Sequence, residues 1–501
     1  MYQFILFTDL TDTIYVSKVI GAYKCAHLLR SAGYSCLVVD HLHTWSEQEI
    51  NSLLEKSVGA DTLAIGFSTT FFKNSNVKPT AENSIYYTEL DSYTLFPQGS
   101  EFEKTILDKI KSLNSNCKIM VGGANVKTQF QNRNVDYAFV GYAEGSIVNL
   151  ANHLSKQEPL EYATKNLWGV TILDNRTAHG HDFNNTKFSW DPTDIINAKS
   201  LPIEVARGCI FKCKFCSYPM NGKQNADFIK NVEILRQELQ ENYDKFGITQ
   251  YSIVDDTFND NEVKIDMILK AVKKLTFQPK FWAYIRLDLL TTKQHIDKLY
   301  QIGIRAMYFG IETFHPESSR IIGKGYSAEK QINTIREIRN TYGNEITMHG
   351  SFIIGLPKDT VANINRTFNM LMDGSIPLHS FAFQTLFLDR NDSAVWSSDL
   401  SQNFKNYGYE DTGTVFNKYI RWKNDYLTWE QAHQMELDFR KIYQNSLGYY
   451  LPGQPVWSLL NYDYSLDYLL NLLHKDVPWH ELTLKKKIFT QNYIAGLLSS
   501  I

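Results

Sequence analysis

Residues 209 to 216 read Cys-Ile-Phe-Lys-Cys-Lys-Phe-Cys, which brings three thiols, Cys209, Cys213 and Cys216, into one short window. They are half of the six cysteines in the chain. Thiolates this close suit an iron–sulfur cluster or another soft metal centre. A cubane has four irons, so three protein thiolates leave one iron open for a substrate or cofactor, which is an arrangement for chemistry rather than electron storage. A structural zinc ion is one alternative, but such sites usually show paired C-x2-C knuckles. No second pair occurs, and Cys25, Cys36 and Cys117 lie inside apolar helix or strand patterns. The other alternative is that the three are small core residues.

With Arg207, Gly208 and Phe215, the run resembles the radical-SAM signature C-x3-C-x-aromatic-C. That resemblance implies a 4Fe–4S cluster on Cys209, Cys213 and Cys216, with the open iron chelated by the amino and carboxylate groups of S-adenosylmethionine (SAM). Reductive cleavage of SAM then yields methionine and a 5′-deoxyadenosyl radical. Phe215 matches the aromatic position near the adenine. An external electron donor such as a flavodoxin or ferredoxin is implied, with a small-molecule or peptide substrate.

The elements around these cysteines must place them at a loop. From Pro202 to about Arg390, strand-like runs at Ile203–Ala206, Gln250–Val254, Phe281–Ile285, Ala306–Phe309, Met348–Ile354 and Phe381–Leu388 alternate with amphipathic helices. One helix carries its stripe at Ile265, Ile268, Leu269 and Val272. Six units are too few for an eight-fold barrel and resemble the partial (β/α)6 barrel of the radical-SAM superfamily. Functional groups in such barrels gather at strand C-termini. There the resemblance implies Asp255 or Asp256 for the SAM amino group, in place of the family's more usual Gly-Gly-Glu. It places Arg286 at the SAM carboxylate and Glu312, in Gly310-Ile-Glu-Thr, near the ribose or amino group. Ser351 and Gly355 fall in an adenine-side motif. Singly, each polar residue reads first as a helix cap or a barrel ion pair; their shared location after successive strands reverses that preference for Asp256, Arg286 and Glu312.

The first 155 residues also alternate, with strand-like runs at Phe4–Phe7, Cys36–Val39, Thr62–Phe67, Lys118–Val121 and Tyr137–Val140. Val16, Val19, Ile20, Tyr23 and Ala26 recur at helical spacing before Gly33, a C-cap candidate. This pattern predicts a doubly wound, flavodoxin-like parallel sheet. Gly21, Gly33, Ser68-Thr-Thr70, Val121-Gly122-Gly123 and Gly141 through Gly145 resemble the cobalamin-binding domain that precedes many radical-SAM domains. The resemblance implies that Ser68, Gly122 and Gly123 line a slot for the cobalamin nucleotide tail, glycine letting the backbone approach a bulky ligand. The family's Asp-x-His-x-x-Gly segment is absent from Thr8–Ser17. Two readings stand: cobalamin held without a histidine ligand, and a domain kept for architecture. Residues 70–100 interrupt the alternation as a long excursion, either part of a pocket or a surface insertion.

Residues 156–198 are polar and turn-rich, a linker with a small hairpin; His179 and His181 read as solvated there. Residues 199–392 form the barrel, and 393–501 a helical extension packed on it, with Ala432, Met435, Phe439, Ile442 and Tyr443 at helical spacing. The extension has no cysteine to ligate a second cluster, and the auxiliary cysteines of methylthiotransferases are not recognisable. Net charge is −3 with both signs interspersed, so no nucleic-acid partner is expected. No run of 18 apolar residues predicts a membrane span, and the N-terminus reads as a strand rather than a signal peptide. Sparse cysteines indicate a reducing, cytoplasmic setting. The chain thus reads as a radical-SAM enzyme. Cobalamin-dependent methyl transfer is one outcome, and cobalamin-free rearrangement, epimerisation or oxidation another. A non-enzymatic iron–sulfur sensor or electron-transfer protein is the reading from a different class.

Overall fold

The structure is a computed structural model. It describes residues 1–9, 16–68, 101–123, 126, 128, 130, 134–176, 180–218, 220–224, 227–325, 327–390, 397–415, 419–447, 457, 459–471 and 479–501. The excursion at 70–100, Thr70, most of Thr8–Ser17 and His179 lie outside the described residues. The chain divides into two compact units. One comprises Met1–Asp182, Phe188–Ala198 and His480–Ile501, the other Phe183–Lys187 and Lys199–Trp479.

In the first unit, β1 (Phe4–Phe7), β2 (Cys36–Val39), β3 (Ala64–Ser68), β4 (Lys118–Gly122) and β5 (Tyr137–Gly141) alternate with α1 (Ile20–Ser31), α2 (Glu47–Ser57), α3 (Glu101–Leu113) and α4 (Ile147–Lys156). β1 and β2 are buried at every position, as continuous apolar strands covered on both faces must be. Tyr23, Ala26 and Leu29 give α1 its buried stripe, and Gly33, at φ +90°, follows its last turn. A Ser46–Glu49 capping box starts α2. The strand order is β2-β1-β3-β4-β5, all parallel, so the winding reverses between β1 and β3. In open parallel sheets ligands bind beyond the strand C-termini at such a point.

Three stretches differ from the sequence reading, one of them the antiparallel strand pair at Glu410–Val415 and Tyr419–Lys423 inside the extension read as helical. Within residues 156–198, β6 (Ala163–Lys165) and β7 (Thr171–Asn175) form an antiparallel hairpin, and β7 pairs in parallel with β5, extending the sheet. The turns predict the hairpin, but its pairing with β5 is a long-range contact that leaves no mark on the local pattern. The final helix, Trp479–Ser500, joins this first unit instead of the barrel. Its Tyr493 hydroxyl accepts the Asp40 backbone N–H at 2.8 Å, and Phe489 and Tyr493 meet the His41 ring edge-on. A helical period predicts a buried face but not which core will bury it.

In the second unit β8 (Leu201–Ile203), β9 (Gln250–Ile253), β10 (Lys280–Ile285), β11 (Ile304–Glu312), β12 (Thr347–Ile354) and β13 (Ser380–Thr385) lie side by side in chain order, all parallel. Helices α5 (Val232–Phe246), α6 (Glu262–Val272), α7 (Lys293–Ile302), α8 (Pro316–Ile321), α9 (Ala328–Tyr342) and α10 (Val361–Met372) connect them. This is the expected open six-strand barrel. The helix Trp429–Leu447 closes on β13, with Phe439 stacked 4.0 Å from Phe368 and Tyr443 edge-on to Phe381. A hairpin of β14 (Glu410–Val415) and β15 (Tyr419–Lys423) brings Trp422, fully buried, over the chain just after β12.

Gly355 sits under that indole at φ +97°, where an added Cβ would meet Trp422 Cη2 at 2.3 Å. Its carbonyl accepts the Tyr409 hydroxyl at 2.6 Å. The close approach that requires glycine here is therefore made by Trp422. Gly355→Ala adds left-handed backbone strain to overpacking, for an expected loss of about 2–4 kcal/mol. A lower denaturant midpoint with unchanged slope for the barrel transition checks this.

Candidate active site

The strand ends of the barrel converge on one cavity of about 280 Å³. Its lining includes Cys209, Cys213, Cys216, Phe215, Asp256, Arg286, Glu312 and Ser351, which the sequence reading placed in one site from five separate strand ends. Tyr218, Tyr284, Tyr308 and Lys324 complete much of the wall. Asp255 and Gly355 are not among the lining residues.

Asp255 instead shapes the wall from behind. Its Oδ1 accepts the backbone N–H groups of Val205 and Ala206 at 2.8 and 2.9 Å. Those amides would otherwise continue β8, so the strand ends at Ile203, three residues earlier than the apolar run implies. Beyond it Ala206 bridges to Ile229, and Cys209 bridges to Asn221. The other carboxylate oxygen lies 3.8 Å from the fully buried Lys264 ammonium, which also pairs with Asp260 at 2.5 Å. Burial raises the Asp255 pKa and Lys264 opposes that rise.

The cysteine loop is tight where glycine allows it. Gly208 has φ +68°, and a Cβ there would stand 2.6 Å from the Met220 carbonyl oxygen. Cys209 is 8 % exposed, and burial pushes its thiol pKa up. Its Sγ lies 3.4 Å from the Thr257 hydroxyl. Burial likewise raises the Cys216 thiol. Cys213 Sγ receives Arg286 Nη1 at 3.4 Å.

Each carboxylate in the wall has a distinct environment. Asp256 is pushed up to about 6, chiefly by burial and next by the Asp255 charge. Glu312 projects from a bulge, where β11 and β12 shift register between Gly310 and Glu312, and its φ is +69°. A Cβ on Gly310 would stand 2.6 Å from Glu312 Oε1, so the glycine makes room for the carboxylate. Lys324 faces it at 3.7 Å and donates to the Gly310 carbonyl at 2.7 Å. Burial raises the Glu312 pKa, against the pull of Lys324. A desolvated carboxylate beside Lys324, with the Arg286 charge also acting on it, can take up a further donor such as an ammonium or a ribose hydroxyl. Tyr284 and Tyr308 pack 4.9 Å apart, and Tyr308 meets His349 at 4.7 Å.

The model of the Radical SAM superfamily matches residues 203–371. Those residues are a radical-SAM domain. Among curated proteins the chain is 25% identical over 302 residues to an uncharacterized methyltransferase of Pyrococcus horikoshii, covering 56% of this chain and 63% of that protein. It is 24% identical over 203 residues to bacteriochlorophyllide d C-8(2)-methyltransferase of Chlorobaculum tepidum, covering 38% of this chain and 44% of that one. The chain thus spans less than two thirds of the length of these relatives. Its fold is similar to that of the radical S-adenosylmethionine methyltransferase TsrM of Kitasatospora setae, solved with cobalamin and a [4Fe-4S] cluster bound. The TM-score is 0.64 at 13% identity, covering 99% of this chain and 100% of that one. It is also similar to the cobalamin-dependent S-adenosylmethionine radical enzyme OxsB, with TM-score 0.58 at 15% identity, covering 94% of this chain and 72% of that one.

In the doubly wound unit, Ser68 and Gly122 end β3 and β4 in direct register. A Cβ on Gly122 would meet only Phe139 Cβ at 3.8 Å, an ordinary contact, so protein packing alone does not call for glycine there. Gly123 has φ +112°. A further pair stands at this sheet edge: Asp9, after β1, holds His43 Nδ1 at 2.8 Å and the His43 backbone N–H at 2.7 Å. Sequence reading missed it because the partners are 34 residues apart and neither lies in a recognisable motif. Lys324, between Gly323 and Gly325, was missed in the barrel; its glycine neighbours were the available signal.

Two substitutions separate the adjacent aspartates of the radical-SAM domain. Asp255→Ala leaves Lys264 with one buried partner fewer and two buried amides unpaired, and should cost about 3–5 kcal/mol. Asp256→Asn in the cluster-free chain should act oppositely. The native state holds the Asp256 proton more tightly than the unfolded state does, so stability falls as pH rises through the window up to about 6. Above it, ionised Asp256 costs on the order of 2 kcal/mol. Denaturant titrations should find the Asn variant more stable than wild type at pH 8, with the gap narrowing towards pH 5.

Proposed function

We propose that the chain is a radical-SAM methyltransferase that uses a 4Fe–4S cluster, SAM and cobalamin. The observation that carries this reading is three thiols on one cavity wall facing Asp256, Arg286, Glu312 and Ser351. Cys209, Cys213 and Cys216 would hold the cluster, a donor set that suits iron–sulfur ligation. Asp256 and Glu312 would take the SAM amino and ribose groups, Phe215 the adenine, and Ser351 a polar edge. Ser68, Gly122 and Gly123 would flank the nucleotide tail of cobalamin. When bound, the cluster supplies the electron that cleaves SAM, and the corrinoid supplies a methyl carrier. The protein's part is to orient the substrate and exclude competing donors.

A small-molecule or peptide substrate and a flavodoxin- or ferredoxin-type electron donor complete the proposal, with the cytoplasm as setting. Among the described residues no helix is long and apolar enough to cross a membrane. Anaerobic reconstitution should load about four irons and four sulfides per chain. SAM and dithionite should then release 5′-deoxyadenosine or S-adenosylhomocysteine, and Cys213→Ala should abolish both loading and release. A fully loaded wild-type cluster that leaves SAM intact would sink the enzyme reading. Titration with hydroxocobalamin, followed by its visible absorption, tests the methyl carrier; a folded chain that retains no corrinoid argues for cobalamin-free chemistry.

A further inference from the structure

We propose that Arg286, clamped by Asp288 and Phe211, sets the reduction potential of the cluster through its hydrogen bond to Cys213, an inference that rests on the cluster reading above. The guanidinium is fixed on every side. Nε and Nη2 fork onto Asp288 Oδ1 and Oδ2 at 3.0 and 2.5 Å. Its carbon lies 3.7 Å from the centre of the Phe211 ring, a residue of the cysteine loop itself. The backbone is locked to Asn259, whose side chain accepts the Arg286 N–H at 2.7 Å and donates to its carbonyl at 2.9 Å. What is left to Nη1 is Cys213 Sγ, at 3.4 Å.

This assignment differs from the carboxylate-binding role that the motif alone implies. A side-on fork is the geometry in which arginine grips a carboxylate, and Asp288 already occupies it. The charge is also permanent, since arginine does not deprotonate in proteins.

The three thiols are not equivalent in their surroundings. The hydroxyl near Cys209 belongs to Thr257, whose proton is already given to the Asp256 carbonyl at 2.8 Å. Cys216 meets the neutral Tyr218 backbone and Asn221 side chain. Of the three, Cys213 is the one that receives a cationic N–H donor. Reduction adds one electron to the cluster, delivered by dithionite or by a natural one-electron donor, and increases negative charge on its sulfur ligands. A cationic N–H donor on one ligand favours that reduced form and raises the potential. Low exposure, 7 % for the Arg286 side chain, strengthens the effect by limiting solvent screening. Asp288 opposes part of the charge but lies on the far side of the guanidinium, so the donor nearest the sulfur prevails.

The test is an EPR-monitored redox titration of the reconstituted full-length chain with dithionite, without SAM. R286Q should load iron and sulfide as wild type does and shift the midpoint to more negative potential. R286K, which keeps a cation but loses the fork, should give a smaller shift of the same sign. An R286Q chain with a full cluster and an unchanged or more positive midpoint overturns the proposal. Should R286Q fail to load, R286K decides alone, and a midpoint equal to wild type overturns it. A wild-type chain that loads no cluster fails the proposed function and this inference together. A wild type that cleaves SAM beside an unresponsive R286Q fails this inference alone.

Discussion

One carboxylate decides where the first barrel strand stops. Asp255, at the end of β9, takes two backbone N–H groups that would otherwise extend β8, and it does so with no solvent to compete. Buried amides must be paired, so the chain after Ile203 is committed to that carboxylate and turns away from the sheet into the cysteine loop. The cost of burying the charge is offset by Lys264, itself wholly buried and shared with Asp260. Buried ion pairs add little net stability compared with apolar packing, but breaking one is costly. Their worth here lies in specifying a single geometry for the loop that carries Cys209, Cys213 and Cys216.

The opposite wall depends on backbone strain. Glu312 holds a left-handed φ at a register shift between β11 and β12, and such conformations cost of order 1–3 kcal/mol unless the surroundings impose them. A bulge redirects a side chain that regular pleating would send elsewhere. Gly310 supplies the space, and Lys324 supplies the charge. The two walls thus differ in kind: one is set by a buried polar network, the other by a defect in the sheet. Between them stands Arg286, which joins the cysteine loop through Phe211 and Cys213 to the β10 end through Asp288 and Asn259.

Much of this was legible in the residues. Both parallel sheets follow from short apolar runs alternating with helical stripes, and most strand limits fall within two residues of the pattern. The convergence of Cys209, Asp256, Arg286, Glu312 and Ser351 follows from a rule of parallel barrels, that strand C-termini share one face. What failed to show were features with no local period. The hairpin within residues 156–198 is legible from its turns, but the pairing of β7 with β5 is a long-range contact with no local signature. The helix Trp479–Ser500 gave its type but not its partner, because its contacts with Asp40 and His41 span most of the chain. The Asp9–His43 pair joins two loops whose separation in sequence says nothing of their adjacency.

The sequence by itself determined the chemistry on offer: three thiolates at fixed spacing, an aromatic beside them, and acids and a guanidinium after successive strands. Spacing along the chain is a local property and survives in any fold that keeps the strands. Only the tertiary structure decided how neighbours divide the work. Asp255 and Asp256 are adjacent and chemically identical, yet one faces backbone amides and Lys264 while the other faces the cavity. Arg286 could address a ligand or a cysteine, and the fork with Asp288 turned it to Cys213. Direction, burial and the identity of the opposite partner are set by chains that meet across the barrel, and no single stretch of residues contains them.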